Sequence, residues 1–111
     1  MKAGRDMDAL VAEKVMGDTD AYYLPLGEGE LNVAARVPRY STDIAAAWQV
    51  VEKFGYSPSI HVFRSHGGKW GCKISLSSDP NVDAEYFGFA ETAPLAICLA
   101  ALKKAGVEVP A

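Results

Sequence analysis

Between Ser59 and Ser78 the sequence reads SIHVFRSHGGKWGCKISLSS, two runs that alternate with a period of two on either side of a Gly-Gly pair. Such runs, joined by residues that accept positive φ, specify an antiparallel hairpin, because a parallel pair needs a far longer crossover. A two-residue turn at Gly67 and Gly68 sets Phe63 opposite Cys72 and Arg64 opposite Gly71. That register collects His61, Phe63, Trp70, Cys72, Ile74 and Leu76 on one face, the expected core face. The other face is apolar at Ile60 and Val62 and basic toward the turn, at Arg64, His66, Lys69 and Lys73, so a second layer is expected over its base only. A third run, AEYFGFA, places Tyr86, Phe87 and Phe89 on both faces, the pattern of a strand inside a sheet.

Three other segments carry helical spacing. In GRDMDALVAEKVMG, Met7, Leu10, Val11 and Val15 recur on one stripe, acids stand near the start, and Gly17 supplies the stop. In RYSTDIAAAWQVVEKFG, Ser41 or Thr42 is the expected cap and Tyr40 the staple over the first turn. Ile44, Ala47, Trp48, Val51 and Phe54 are expected to face inward before Gly55 ends the helix. In ETAPLAICLAALKKAG, Thr92 caps, Pro94 sits in the first turn, and Leu95, Cys98, Leu99 and Leu102 form the stripe, with Lys103, Lys104 and Gly106 closing it. Its remaining faces hold Ala93, Ala96, Ile97, Ala100 and Ala101, which leaves few positions for water and predicts a homo-oligomer. Between the first two helices LPLGEGE reads as a loop, and Leu31, Val33, Ala35 and Val37 alternate as a short strand. The expected core is Trp48, Phe54, Trp70, Ile74, Leu76, Leu99 and Leu102.

A chain of 111 residues, half of them hydrophobic, suits one domain spanning 1–111. A net charge of -3 argues against bulk nucleic-acid binding, so any anion site must be local. The charged start MKAGRDMDAL lacks the apolar centre of a signal peptide, and the run from Ala93 to Leu102 is too short to span a bilayer, so a soluble cytoplasmic protein without membrane contact is expected. Two cysteines, Cys72 and Cys98, read as buried reduced thiols.

The blocks GRDMDALVAEKVMG, YSTDIAAAWQVVEKFG and FAETAPLAICLAALKKAG resemble the phage ABA sandwich domain family. The resemblance implies an α/β fold, an α-β-α sandwich with a predominantly antiparallel sheet between helical layers, and a phage or prophage origin. It carries over no catalytic residue and no cofactor.

Candidate chemistry is sparse. GEGELN lacks the third glycine of a dinucleotide loop, and DPNVDAE lacks the glycine and the bidentate acid of a calcium loop. The expected register separates His66 from His61 and Cys72, so no metal site forms there. Cys72 with His61 as base is the best enzyme hypothesis, and burial beside Phe63 and Ile74 argues against it. Trp48, Trp70, Phe87 and Phe89 read as core before they read as a stacking platform. Two features remain. The start of the second helix brings Arg39, Tyr40, Ser41 and Thr42 together as an anion seat, with ordinary capping, Asp43 itself supplying the negative charge, as the competing reading. The hairpin tip gathers Arg64, His66, Lys69 and Lys73, with a lysine-guarded edge as its alternative. The expected function is a non-enzymatic phage counter-defence binder that sequesters an anionic, nucleotide-like signal at Arg39, Tyr40, Ser41, Thr42, Arg64 and Lys73. The alternatives are a protein-docking inhibitor of a host protein and, last, a small enzyme using Cys72.

Overall fold

The computed structural model describes residues 2–23, 32–54, 59–75 and 85–107. Its elements in order are α1 (Arg5–Lys14), β1 (Tyr22–Tyr23), β2 (Asn32–Val33), α2 (Ile44–Lys53), β3 (Ser59–Arg64), β4 (Trp70–Ser75), β5 (Glu85–Ala90) and α3 (Ala93–Lys104). The fold is α/β: β3, β4 and β5 form an antiparallel sheet in that order, and β1 pairs with β2. Helix α3 lies on β4 and β5, while α1 and α2 pack against α3.

Gly88 shows why α3 can sit so close. A Cβ there would lie 2.6 Å from the Ala100 nitrogen, 3.0 Å from Leu99 Cβ and closer still to the Ala96 carbonyl. Sheet and helix therefore meet backbone to backbone, a contact that only glycine permits. The face holding Gly88 is the core face, and alternation from its partners adds Val62, Cys72, Ile60, Ile74 and Tyr86. Cys72 and Ile74 are buried there beside Ala96, Ile97, Ala100 and Leu102 of α3.

Two helix ends follow the expected glycines. Gly17 adopts φ 80°, and the Asp18 amide donates to Ala12 O at 2.8 Å. Gly106 adopts φ 82°, and the Val107 amide donates to Leu102 O at 2.9 Å. Gly55 lies outside the described residues, as do Leu31, Leu76, GEGEL and most of DPNVDAE. The alternating segment is less extended than expected over its described residues 32–37. Of these only Asn32 and Val33 form strand, pairing with Tyr23 and Tyr22, and a turn follows in which the Val37 amide donates to Ala34 O.

The hairpin departs from its expected register by one residue. His66–Gly68 form a 3-10 turn with φ near 85° at Gly67 and 82° at Gly68, and the Ser65 amide donates to Lys69 O at 2.7 Å. Three residues link the strands where two were expected, so Phe63 stands opposite Gly71, Arg64 opposite Trp70 and Val62 opposite Cys72. A slip of one turns a strand over. His61 and Phe63 consequently leave the core face, and Ile60 and Val62 enter it. β5 is also corrected: β4 is the central strand and β5 an edge among the described residues, with one apolar face covered by α3 and Phe89 on the other face left half exposed.

The core list is corrected in one place. Ile74 and Leu102 are buried, and Phe54, Trp70 and Leu99 pack against the core partly buried. Trp48 is instead 48 % exposed and Ile44 50 % exposed, because α2 turns Ala46, Ala47 and Val50 inward. Small residues let α2 approach α3 closely, and the bulkier ridge points away. The all-round apolar character of α3 finds its cause here too. Ala96, Ile97, Cys98, Ala100, Ala101 and Leu102 are buried within one chain, between the sheet and the other two helices, so they do not call for a second subunit.

Candidate functional site

The start of α2 is built from the inside. Ser41 is fully buried. Its hydroxyl donates to Asp8 Oδ1 at 2.6 Å and accepts from the Gly4 amide at 2.9 Å, and its own amide donates to Asp8 Oδ1 at 2.8 Å. Asp8, buried in α1, also accepts from Arg5 Nη1 on Oδ2 at 2.9 Å. Arg5 Nη2 donates onward to Ala34 O and Val37 O. A buried carboxylate held by three donors has its charge compensated locally, and here it ties α1, the turn after β2 and the entrance of α2 together. The hydroxyl expected to contact a phosphate is thus engaged by a buried carboxylate and turned away from solvent.

The other residues of that turn separate accordingly. Tyr40 is buried at 5 % exposure and its ring is not open for stacking. Asp43, and not Ser41 or Thr42, caps the helix, its carboxylate accepting from the Ala45 amide at 3.0 Å. Arg39 and Thr42 are exposed. The anion seat expected across Arg39, Tyr40, Ser41 and Thr42 is therefore not brought together as a ligand surface.

The basic strip is also dispersed. Arg64 lies over the Trp70 ring at 5.0 Å, and its Nη2 donates to Gly68 O. Lys73 is on the opposite face, 3.8 Å from Glu85, and Lys69 is 3.9 Å from Glu91. Opposite charges beside each lysine reduce the local positive field.

What the register correction assembles instead is an aromatic patch on the face turned away from α3. Phe63 and Phe89 meet edge to face with centroids 6.0 Å apart, and Phe87 and Phe89 lie parallel at 5.9 Å. Gly71 makes room: a Cβ there would come within 2.5 Å of the Phe63 ring and 3.0 Å of Phe89. Phe89 is 48 % exposed, and among the described residues no helix covers this side of the sheet. By alternation His61 and Lys73 share the face, and Glu85 reaches Lys73. Of the six expected binding residues only Lys73 is here. Sequence reading missed Phe63; the signal was Gly71, a glycine at the second position of an otherwise bulky strand.

The cysteine chemistry is corrected in its geometry. His61 is exposed on the open face and Cys72 is buried on the core face, so the imidazole cannot serve that thiol. Burial raises the Cys72 thiol from 9.0 to about 11 and pushes Cys98 higher. Tyr22 and Tyr40 are raised by burial as well. Each of these groups ionises more easily in the unfolded chain. Stability is therefore full below the ordinary thiol value and falls as pH rises from about 9 toward 11. Melting temperature measured between pH 8 and pH 11 should be flat below 9 and decline above it. At pH 8 both thiols should resist a disulfide reagent until denaturant is added.

The family model for the phage ABA sandwich domain matches residues 9–102. The chain belongs to the phage ABA sandwich domain family. A crystal structure of a phage protein from Bacillus cereus ATCC 14579 is 31 % identical, with 99 % of this chain and 93 % of that one covered and a TM-score of 0.66. No curated protein matches. The three helices and the antiparallel sheet agree with the ABA sandwich architecture. Among the described residues no helix is long and apolar enough to cross a membrane.

Proposed function

We propose that this phage family member is a non-enzymatic counter-defence binder that works in the host cytoplasm, holding an anionic, nucleotide-like signal on the open face of its sheet. The observation that carries this reading is the group of Phe63, Phe87 and Phe89 beside Lys73 on a sheet face over which, among the described residues, no helix lies. Aromatic rings on an open antiparallel sheet are a common means of stacking bases, and stacking is worth about 1–3 kcal/mol per base. Lys73 supplies the cation for a phosphate, which would take the place of Glu85 as its partner. The chain's net charge of -3 disfavours long polyanions and favours a small ligand with few phosphates. Cys72, buried and apart from His61, offers no nucleophile to turn such a ligand over.

The test is a thermal-shift titration with linear and cyclic nucleotides, since a ligand that binds only the folded state raises the melting temperature. A nucleotide that stabilises the protein should lose its effect in Phe89→Ala and in Lys73→Ala, while Arg39→Ala should leave it unchanged. Both affected side chains are partly exposed, so their loss should change the melting temperature of the free protein little. If no nucleotide shifts the protein and a host protein co-purifies in fixed ratio, the docking-inhibitor reading replaces this one.

A further inference from the structure

Helix α2 presents an apolar ridge that the described residues leave half exposed. Ile44 and Trp48, one turn apart, are 50 % and 48 % exposed, while Ala46, Ala47 and Val50 on the far side are buried. We infer that this ridge is the contact between two copies of the chain, packed α2 against α2 in antiparallel fashion about a twofold axis at Trp48.

The occupant is identified by what surrounds the ridge. Ala45, Gln49 and Glu52 flank Trp48 and are exposed, and Arg39 stands exposed just before the helix. With Trp48 on the axis, an antiparallel partner brings Glu52 of each copy to the N-terminal end of the other α2. There the helix dipole is positive, and Arg39, in no ion pair among the described residues, adds a second positive charge. Lys53 comes in the same way toward the capping carboxylate of Asp43. A parallel pairing would set Glu52 against Glu52 and align the two dipoles, so charge selects the antiparallel form. Each Trp48 then packs on its symmetry mate, with Ile44 against the aliphatic stem of Glu52. Because the same patch is used by both copies, the contact closes on itself as a dimer and leaves no end for further growth. The surface is separate from the aromatic sheet face, so it stands whether or not a nucleotide binds there.

Light scattering on the full chain at tens of micromolar should give twice the chain mass. Trp48→Glu should raise the dimer dissociation constant about a hundredfold or more, as loss of a central tryptophan anchor does. Its circular dichroism should be unchanged, because the side chain is half exposed in the single chain. Glu52→Arg should weaken the dimer several-fold, and adding Arg39→Glu to it should restore the association. A wild-type monomer at these concentrations overturns the inference. So does a Trp48→Glu variant that remains dimeric, and a charge swap that fails to restore association overturns the antiparallel arrangement.

Discussion

Gly88→Ala should lower the unfolding free energy by about 3 kcal/mol, at the upper end of what an added methyl group in a packed core costs. The new Cβ would press on the Ala100 nitrogen and the Ala96 carbonyl, which are helix backbone and cannot rotate out of the way. Relief requires α3 to lift from β5, and α1 and α2 rest on α3. Cys72 stands opposite Gly88 in the register. Lifting the helix should therefore also make Cys72 label faster in the folded protein. Urea unfolding and thiol labelling measured together check both parts, and an unchanged midpoint would mean that α3 is not seated on this strand.

Asp8→Asn should cost about 3 kcal/mol, because a buried charge-assisted network loses one partner while the others stay in place. The amide nitrogen would face either Arg5 Nη1 or the Ser41 donors, and each choice sets donor against donor. Ser41→Ala should cost about 1–2 kcal/mol by leaving the Gly4 amide and one Asp8 lone pair without a partner. In the double variant the two losses should add to less than their sum, since they remove the same hydrogen bond. Denaturant midpoints of the three variants measure this coupling. Full additivity would show that Asp8 and Ser41 do not share a bond in solution.

Local rules were enough for where the helices lie and how they end. The glycines at 17 and 106 and the proline in the first turn of α3 act within a few residues, and each was readable where it stands, whereas the inward face of α2 was not. The expected cap, Ser41 or Thr42, is not the one the helix uses, because neighbouring hydroxyl and carboxylate side chains are nearly equivalent as caps. Asp43 caps because Ser41 is drawn into the core by Asp8, thirty-three residues earlier in the chain.

The hairpin marks the boundary between the two kinds of information. Its existence followed from period two and the glycine pair, but its register depended on whether the link held two residues or three. Both strands alternate between apolar and mixed faces, and β3 carries Ile60 and Val62 on one side and Phe63 on the other, so polarity alone did not choose. Packing chose: Gly71 accommodates the Phe63 ring on one face, while Gly88 beside Cys72 accommodates α3 on the other. By itself the sequence determined the family, the antiparallel hairpin and the three helices, since these rest on contacts between near neighbours. Which face of β3 meets the core, why Trp48 stays outside, and where aromatic groups gather beside Lys73 were decided by the tertiary structure, because each depends on the volume left by residues distant in the chain.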